Sequence, residues 1–317
     1  MTRKRRVNSI QTVADGTAEP PEAVDMNAAV ATFLRYCQRR NLSAQTVSFY
    51  RTALELLGRL TDLPPRDITT EIIGELIEAR QAEGTADNTI NTNLRAWRAF
   101  FNFLHGEGFI GQAPRITILK TEQNDIETFS KAQMKRLLDQ PDRSTFTGYR
   151  DYVIMLTLLD TGMRLSELAG LTTSDADFKA RLILVNGKGR KKRYVPMQDT
   201  LARHLAEYLA IRGPLHHDIL FVNIDNEPYR PRTIQQALGH YGAAAGITNV
   251  RVSPHTFRHT FARYYIVNGG DVFSLQKILG HTTLDMVRKY VNLFGTDVAR
   301  QHRKFSPLER LDDDDDY

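Results

Sequence analysis

The stretch SPHTFRHTFARYYIVNGGDVFSLQKILGHTTLDMVRKYVNL, residues 253–293, decides how this chain is read. Its apolar spacing and its glycine breaks predict three consecutive helices, over about 254–268, 271–279 and 283–292. On the first of them His255 and Arg258 lie three residues apart, hence on one side. His259 stands four residues after His255, the spacing of a metal-binding pair, but the zinc-protease pattern needs a glutamate after its first histidine and Thr256 is there. With no third ligand nearby, no metal is assigned, and His259 reads as a hydrogen-bonded buttress. His281 follows a glycine, and Tyr290 comes nine residues later in a short helix, where a tyrosine taken alone is ordinarily a packing residue.

Working back toward the N-terminus, RLILVNGKGRKKRYVPM (181–197) alternates on either side of Asn186-Gly187 and predicts a hairpin, with a connection longer than the two-residue ideal. Its far arm holds Arg190, Lys191, Lys192 and Arg193, read as candidate phosphate contacts, and its tip holds Lys188 between glycines. LLDTGMRLSELAGL (158–171) places Arg164 just after a glycine turn, at the start of a short helix, where the guanidinium and the helix end both favour an anion. Pairing of Arg164 with Glu167 on a surface is the competing reading. Further helices are predicted from Ser130 to about 139 and over about 149–160, 198–211 and 232–244.

Residues 23–107 read as a separate compact helical domain. Val30, Phe33, Leu34 and Cys37 share one helix face, and Ser43 caps a second helix that carries Val47, Tyr50, Leu54 and Leu57. A third helix covers about 69–82, and a fourth steps through Ile90, Leu94, Trp97, Phe101 and Leu104 to end at His105-Gly106. Arg51, Arg95 and Arg98 sit on the polar faces, suited equally to phosphate contact and to a solvated surface. Trp97 follows the apolar stripe and belongs to the core. Residues 1–22, with Pro20-Pro21 and no apolar period, read as a flexible basic and polar arm. Residues 108–128, with Gly108, Gly111, Pro114 and a polar TEQND, read as a linker.

The 317 residues carry 42 Lys and Arg against 37 Asp and Glu, and five of those acids form one run, Asp312 to Asp316. Without that run the formal charge would rise from +5 to +10, a balance that suits a polyanionic partner. Cys37 is the only cysteine, so no internal disulfide and no multi-cysteine zinc site can form, and a reducing, cytoplasmic setting fits. The basic start has no apolar run behind it, and no stretch approaches the roughly 18 apolar residues of a membrane span. No GxxxxGK[ST] phosphate loop occurs.

TGMRLSEL, GKG in a hairpin, HTFRH, and LGH followed by a tyrosine nine residues later, in this order and spacing, strongly resemble the tyrosine recombinase family of the phage-integrase type. The resemblance spans about 125–300, and the helical first domain resembles that family's core-binding domain. It implies a mainly α fold with a small antiparallel β element: a helical core-binding domain, then an α+β catalytic domain over 129–305 and an acidic tail over 306–317. Carried over residue by residue, it implies Arg164, Lys188, His255, Arg258, His281 and Tyr290 as the catalytic set, Tyr290 being the nucleophile.

On that reading the two arginines clamp the phosphate oxygens with help from His281, and His255 is the candidate base for the tyrosine. Lys188 is the candidate acid for the leaving 5′ oxygen, with Lys191 and Lys192 as rivals that do not match GKG. The resemblance further implies double-stranded DNA bearing specific sites, a tetramer on paired sites, and neither cofactor nor metal nor membrane. In that family the segment after the tyrosine, here about 296–311, packs into a neighbouring subunit; an intramolecular helix is the competing reading. A type IB topoisomerase and a non-catalytic DNA-binding regulator are the alternative functions.

Overall fold

The computed structural model describes residues 25–121, 126–187 and 191–280, together with Thr283, Val287, Arg288, Tyr290 and His302. The chain divides into two compact units, one ending at Gln123 and one beginning at Asn124. The arm over 1–22, the segment 296–311 apart from His302, and the acidic tail lie outside the described residues.

The first unit is built from α1 (Met26–Arg39), α2 (Ala44–Leu60), α3 (Thr70–Ala82) and α4 (Asp87–Gly106). Side-chain oxygens start three of these helices: Asp25 accepts from Asn27 N–H, Ser43 from Thr46 and Thr69 from Ile72. The apolar stripes meet in one core that includes Phe33, Cys37, Leu54, Leu57, Leu94, Trp97 and Phe101. Trp97 lies in that core as expected, and its indole N–H donates to the Ala53 carbonyl at 2.8 Å, so the ring is buried with its one polar group satisfied.

The sequence expectation of a linker from 108 onward is corrected by packing. Ile110 and Ile116 are buried in the first core, and Phe109, Ala113, Ile118 and Leu119 pack against it. Buried Asn91 pairs with the backbone of this segment: its amide donates to the Leu119 carbonyl at 3.0 Å and its oxygen accepts from Leu119 N–H at 2.8 Å. Arg98 donates to the Ile116 carbonyl from the same helix.

The second unit opens with α5 (Lys131–Leu138), whose expected Ser130 cap is a full capping box with Gln133. Next comes α6 (Phe146–Thr161), largely buried, which ends at Gly162 in the left-handed conformation, φ +58°. A Cβ there would stand 2.5 Å from the Phe261 ring and 2.8 Å from Leu279, so glycine is required by sterics as well as by φ.

Behind Gly162 come the one-turn helix α7 (Leu165–Ala169) and an antiparallel meander of β1 (Ala176–Asp177), β2 (Leu182–Asn186) and β3 (Lys192–Pro196). Val185 pairs with Arg193 and Ile183 with Val195, and Gly187 N–H donates to the Lys191 carbonyl at 2.8 Å to close the base of the hairpin. The expected hairpin is therefore present, preceded by the short strand β1.

α8 (Asp199–Arg212), α9 (Pro231–Ala244), α10 (Pro254–Val267) and α11 (Val272–Leu279) complete the described elements. One large core spans α5 to α10 and the sheet, including Phe129, Met155, Leu158, Val185, Leu205, Tyr208, Phe221 and Phe257. A smaller cluster joins α10 and α11 to Val287 and Tyr290. Of the helix expected over 283–292, Thr283, Val287, Arg288 and Tyr290 are described; Thr283 lies in a bend and the other three are helical.

Candidate active site

The site lies in the second unit, where α10 passes the ends of α6 and α11. Pro254 begins α10, and Ser253 caps it by accepting from Thr256 N–H. One turn in, Arg258 is buried, and its guanidinium donates to the Gly162 carbonyl at 2.7 Å and to the Leu279 carbonyl at 2.9 Å. Both acceptors belong to helix C-termini, where carbonyls lack helical partners and carry partial negative charge. The same cation thus ties three helices together and is held in a fixed orientation. Burial above all, with Arg164 second, brings the Arg258 guanidinium down to about 10, still a cation at neutral pH.

Arg164 stands at the N-cap position of α7. Its Nη1 donates to Glu167 Oε1 at 3.0 Å, and its backbone N–H donates to Glu167 Oε2 at 2.8 Å. The pairing with Glu167 foreseen in the sequence therefore exists, yet Glu167 is buried rather than at the surface, while about a third of the Arg164 side chain remains exposed.

A second arginine meets the same carboxylate. Arg193 from β3 donates to Glu167 Oε1 and Oε2 at 2.9 Å each, and its Nε donates to the Ile278 carbonyl at 2.7 Å. Burial raises the Glu167 carboxyl, but the hydrogen bond from Arg193 and those from Arg164 outweigh it and hold the group below the usual carboxylate range. One carboxylate is thereby shared by two guanidiniums with Arg258 within electrostatic reach, which leaves the site short of negative charge.

Tyr290 is buried among Ala262, Ile266, Leu275, Leu279 and Val287, so its packing role is real. Its hydroxyl nevertheless meets a polar partner, His259 Nδ1 at 2.8 Å. Burial raises the Tyr290 phenol, opposed by the pull of Arg258 and then Arg164. Burial also lowers His259 to about 4, with His255 and Arg258 adding to the effect, so the ring is neutral at physiological pH. His259 is the hydrogen-bonded buttress expected of it, with Tyr290 as its partner.

The remaining expected residues divide. His255 is exposed on α10, one turn from both Arg258 and His259. Lys188, Arg190 and His281 lie outside the described residues. Lys191 and Lys192 are exposed on the hairpin, as are Arg51 and Arg95 on α2 and α4. Arg193 is corrected: its guanidinium is spent on Glu167 and Ile278, inside the protein, and is not presented as a phosphate contact. Arg98 is in part spent likewise, on the Ile116 carbonyl.

For a metal, the described residues bring His216, His217 and Glu227 together, with donor atoms within 4.8 Å of one another. His217 already accepts from Ile219 N–H through Nδ1 and meets the Asn226 carbonyl through Nε2, so neither nitrogen is open to an ion. Among the described residues no helix is long and apolar enough to cross a membrane.

Chemically, fixed guanidiniums beside a phenol that bonds a neutral imidazole form an arrangement for a hydroxyl attacking an anionic ester. Comparison with known proteins points to the same family as the sequence motifs. The model of the phage integrase family matches residues 127–296, and that of the phage integrase N-terminal SAM-like domain matches residues 30–108. The chain is 28% identical over 295 residues to tyrosine recombinase XerC of Thermodesulfovibrio yellowstonii, covering 90% of this chain and 98% of the relative. It is 28% identical over 298 residues to tyrosine recombinase XerD of Staphylococcus haemolyticus, covering 89% and 99%. In fold it is similar to the Tn1549 transposon integrase in complex with transposon right end DNA, with TM-score 0.73, 21% identity and coverage of 89% and 99%. A lambda integrase dimer bound to a core site gives TM-score 0.70 at 18% identity, with coverage of 83% and 97%. With the catalytic-domain model matched over more than half its length, this chain belongs to the phage integrase family.

Proposed function

We propose that this protein is a site-specific DNA recombinase that cuts and rejoins strands through a 3′-phosphotyrosyl intermediate on Tyr290. The observation that carries the reading is the placement of the Tyr290 hydroxyl, held at His259 beside the buried cation Arg258. A phosphodiester under attack spreads developing negative charge over its equatorial oxygens, and Arg164 and Arg258 supply the fixed positive charge that this needs. The tyrosine oxygen forms a bond to phosphorus as the bond to the deoxyribose 5′ oxygen breaks. A 5′ hydroxyl then reverses the exchange, so the energy of the broken linkage is kept in the ester and no nucleotide is consumed.

His281 is assigned a further hydrogen bond to the phosphate, and Lys188 the proton for the departing 5′ oxygen. His255, exposed one turn before Arg258, is assigned to a phosphate oxygen, since the Tyr290 hydroxyl is directed to His259 instead. The helical first unit is read as the core-binding domain that grips the duplex, with Arg51 and Arg95 on its outer faces for phosphate. Lys191 and Lys192 extend that contact from the hairpin. Relatives named tyrosine recombinases support site-specific recombination over simple relaxation of supercoils. A tetramer on two paired sites follows from the chemistry, since exchange between duplexes needs two cuts on each.

The test is strand exchange between two duplexes that carry a candidate attachment site, followed by gel electrophoresis under denaturing conditions. The wild type is expected to yield recombinant strands and a covalent protein–DNA band without ATP. Tyr290→Phe is expected to bind the site, with an affinity that falls steeply with salt, and to yield neither product. Recombinant strands from Tyr290→Phe would overturn the reading.

A further inference from the structure

We infer that His259 is the proton acceptor for Tyr290: its Nδ1 holds the phenol before attack, takes the proton as the oxygen bonds to phosphorus, and returns it when the ester is resealed. This rests on Tyr290 being the nucleophile. Three observations converge on the assignment. His259 Nδ1 lies 2.8 Å from Tyr290 Oη, the distance of a made hydrogen bond and within reach for direct proton transfer. His255, assigned the base role from sequence, is exposed one turn away. The rings of His259 and Tyr290 are also in contact, with centroids 5.7 Å apart at 51°, so α10 and the helix of Tyr290 meet at this pair.

The surroundings determine what the imidazole can do. Burial, with the neighbouring His255 and Arg258, keeps His259 uncharged until about pH 4, so one ring nitrogen carries no proton; in the tautomer with its proton on Nε2, Nδ1 accepts from the phenol. The positive charge of Arg258 is what a DNA phosphate would offset. An anion seated between Arg164 and Arg258 weakens the effect of Arg258 on His259 and raises its basicity at the moment the proton must move. The phenol is thus prevented from ionising in the free protein, where a phenolate would serve no purpose, and is assisted once substrate is bound. In the step itself the Tyr290 Oη–phosphorus bond forms, the phosphorus–O5′ bond breaks, and the phenol proton passes to Nδ1. The 5′ oxygen takes its proton from the acid assigned to Lys188.

Because one proton acceptor serves the same transition state in both directions, its loss slows cleavage and resealing by one factor and leaves their ratio unchanged. The experiment uses the full-length chain and a nicked duplex that traps the adduct, with resealing measured separately on addition of a 5′-hydroxyl strand. His259→Leu fills much of the space without an acceptor, whereas His259→Asn keeps an oxygen close to the position of Nδ1. Expected is wild-type DNA affinity for both variants, a fall of about 30-fold or more in both rates for His259→Leu, and partial recovery in His259→Asn. Cleavage by His259→Leu at the wild-type rate, equal impairment of the two variants, or slowing of one direction alone would overturn the inference. Failure of the wild type itself to form an adduct through Tyr290 is a different result, and removes the reading of the nucleophile on which this one stands.

Discussion

Arg258 joins a structural role to the one proposed for it in the chemistry. Its guanidinium satisfies the Gly162 and Leu279 carbonyls, and removing it leaves two buried acceptors without that donor, at a cost of about 1–3 kcal/mol each. Arg258→Ala is therefore expected to lower the urea midpoint and to abolish cleavage. Arg164→Ala, with its more exposed side chain and with Glu167 still held by Arg193, is expected to lose cleavage by roughly a hundredfold or more while the midpoint moves little. Equal loss of stability in the two variants would contradict this division.

His259 gives a pH signature with a definite sign. Its ordinary value of 6.5 falls to about 4 in the fold, so between these values the unfolded chain binds a proton that the folded one does not. The contribution is intact above about pH 6.5 and is lost as pH falls toward 4. The urea midpoint is expected to decline over that window, and to decline less in His259→Asn. At this scale the sequence was informative where motif spacing carried chemistry: Arg164, Arg258 and Tyr290 come together. It paired Tyr290 with His255, whereas the hydroxyl meets His259, because a helix i, i+4 pair shares a side and the partner depends on where a separate helix docks.

Among the elements, β3 shows what a pattern of charge conceals. Lys191, Lys192 and Arg193 read as one basic run, yet strand alternation puts Lys192 and Arg193 on opposite faces. Arg193 stands opposite buried Val185 and two residues before buried Val195, hence on the inner face. Period-two patterning held the signal, and composition obscured it. Turned inward, Arg193 joins β3 to α7 through Glu167 and to α11 through Ile278, with its guanidinium against Gly280 in the left-handed cap, φ +64°. Truncating one partner of a buried pair is costly, so Arg193→Ala is expected to destabilise the second unit by about 3 kcal/mol in urea unfolding. The salt dependence of DNA binding is expected to stay the same, whereas loss of a phosphate contact would reduce its slope by about one. Residues 109–119 were misread for a related reason. Gly108, Gly111 and Pro114 look like breaks, but Ile116 and Ile118 follow them at strand spacing, and the hydrogen bonds that anchor the segment come from Asn91, 28 positions from Leu119.

For the whole molecule, the helices and the hairpin were legible from periodicity, and the family from four motifs in order. The division at Gln123–Asn124 was legible only approximately, because the segment before it packs by long-range contacts. The proposed nucleophile and clamp belong to the same second unit of one chain, with Tyr290 held against α10. Cleavage in cis is the consequence: a mixture of Arg258→Ala and Tyr290→Phe is expected to form no more adduct than either alone, and recovery of adduct in the mixture would show that the tyrosine is supplied across subunits. The most direct test of the central claim is to trap the protein on a nicked attachment-site duplex, digest the adduct, and identify the peptide that carries the nucleotide by mass spectrometry. The expected result is a single 3′-phosphonucleotide on the Tyr290 side chain; a nucleotide on any other residue, or a 5′-linked one, would contradict it.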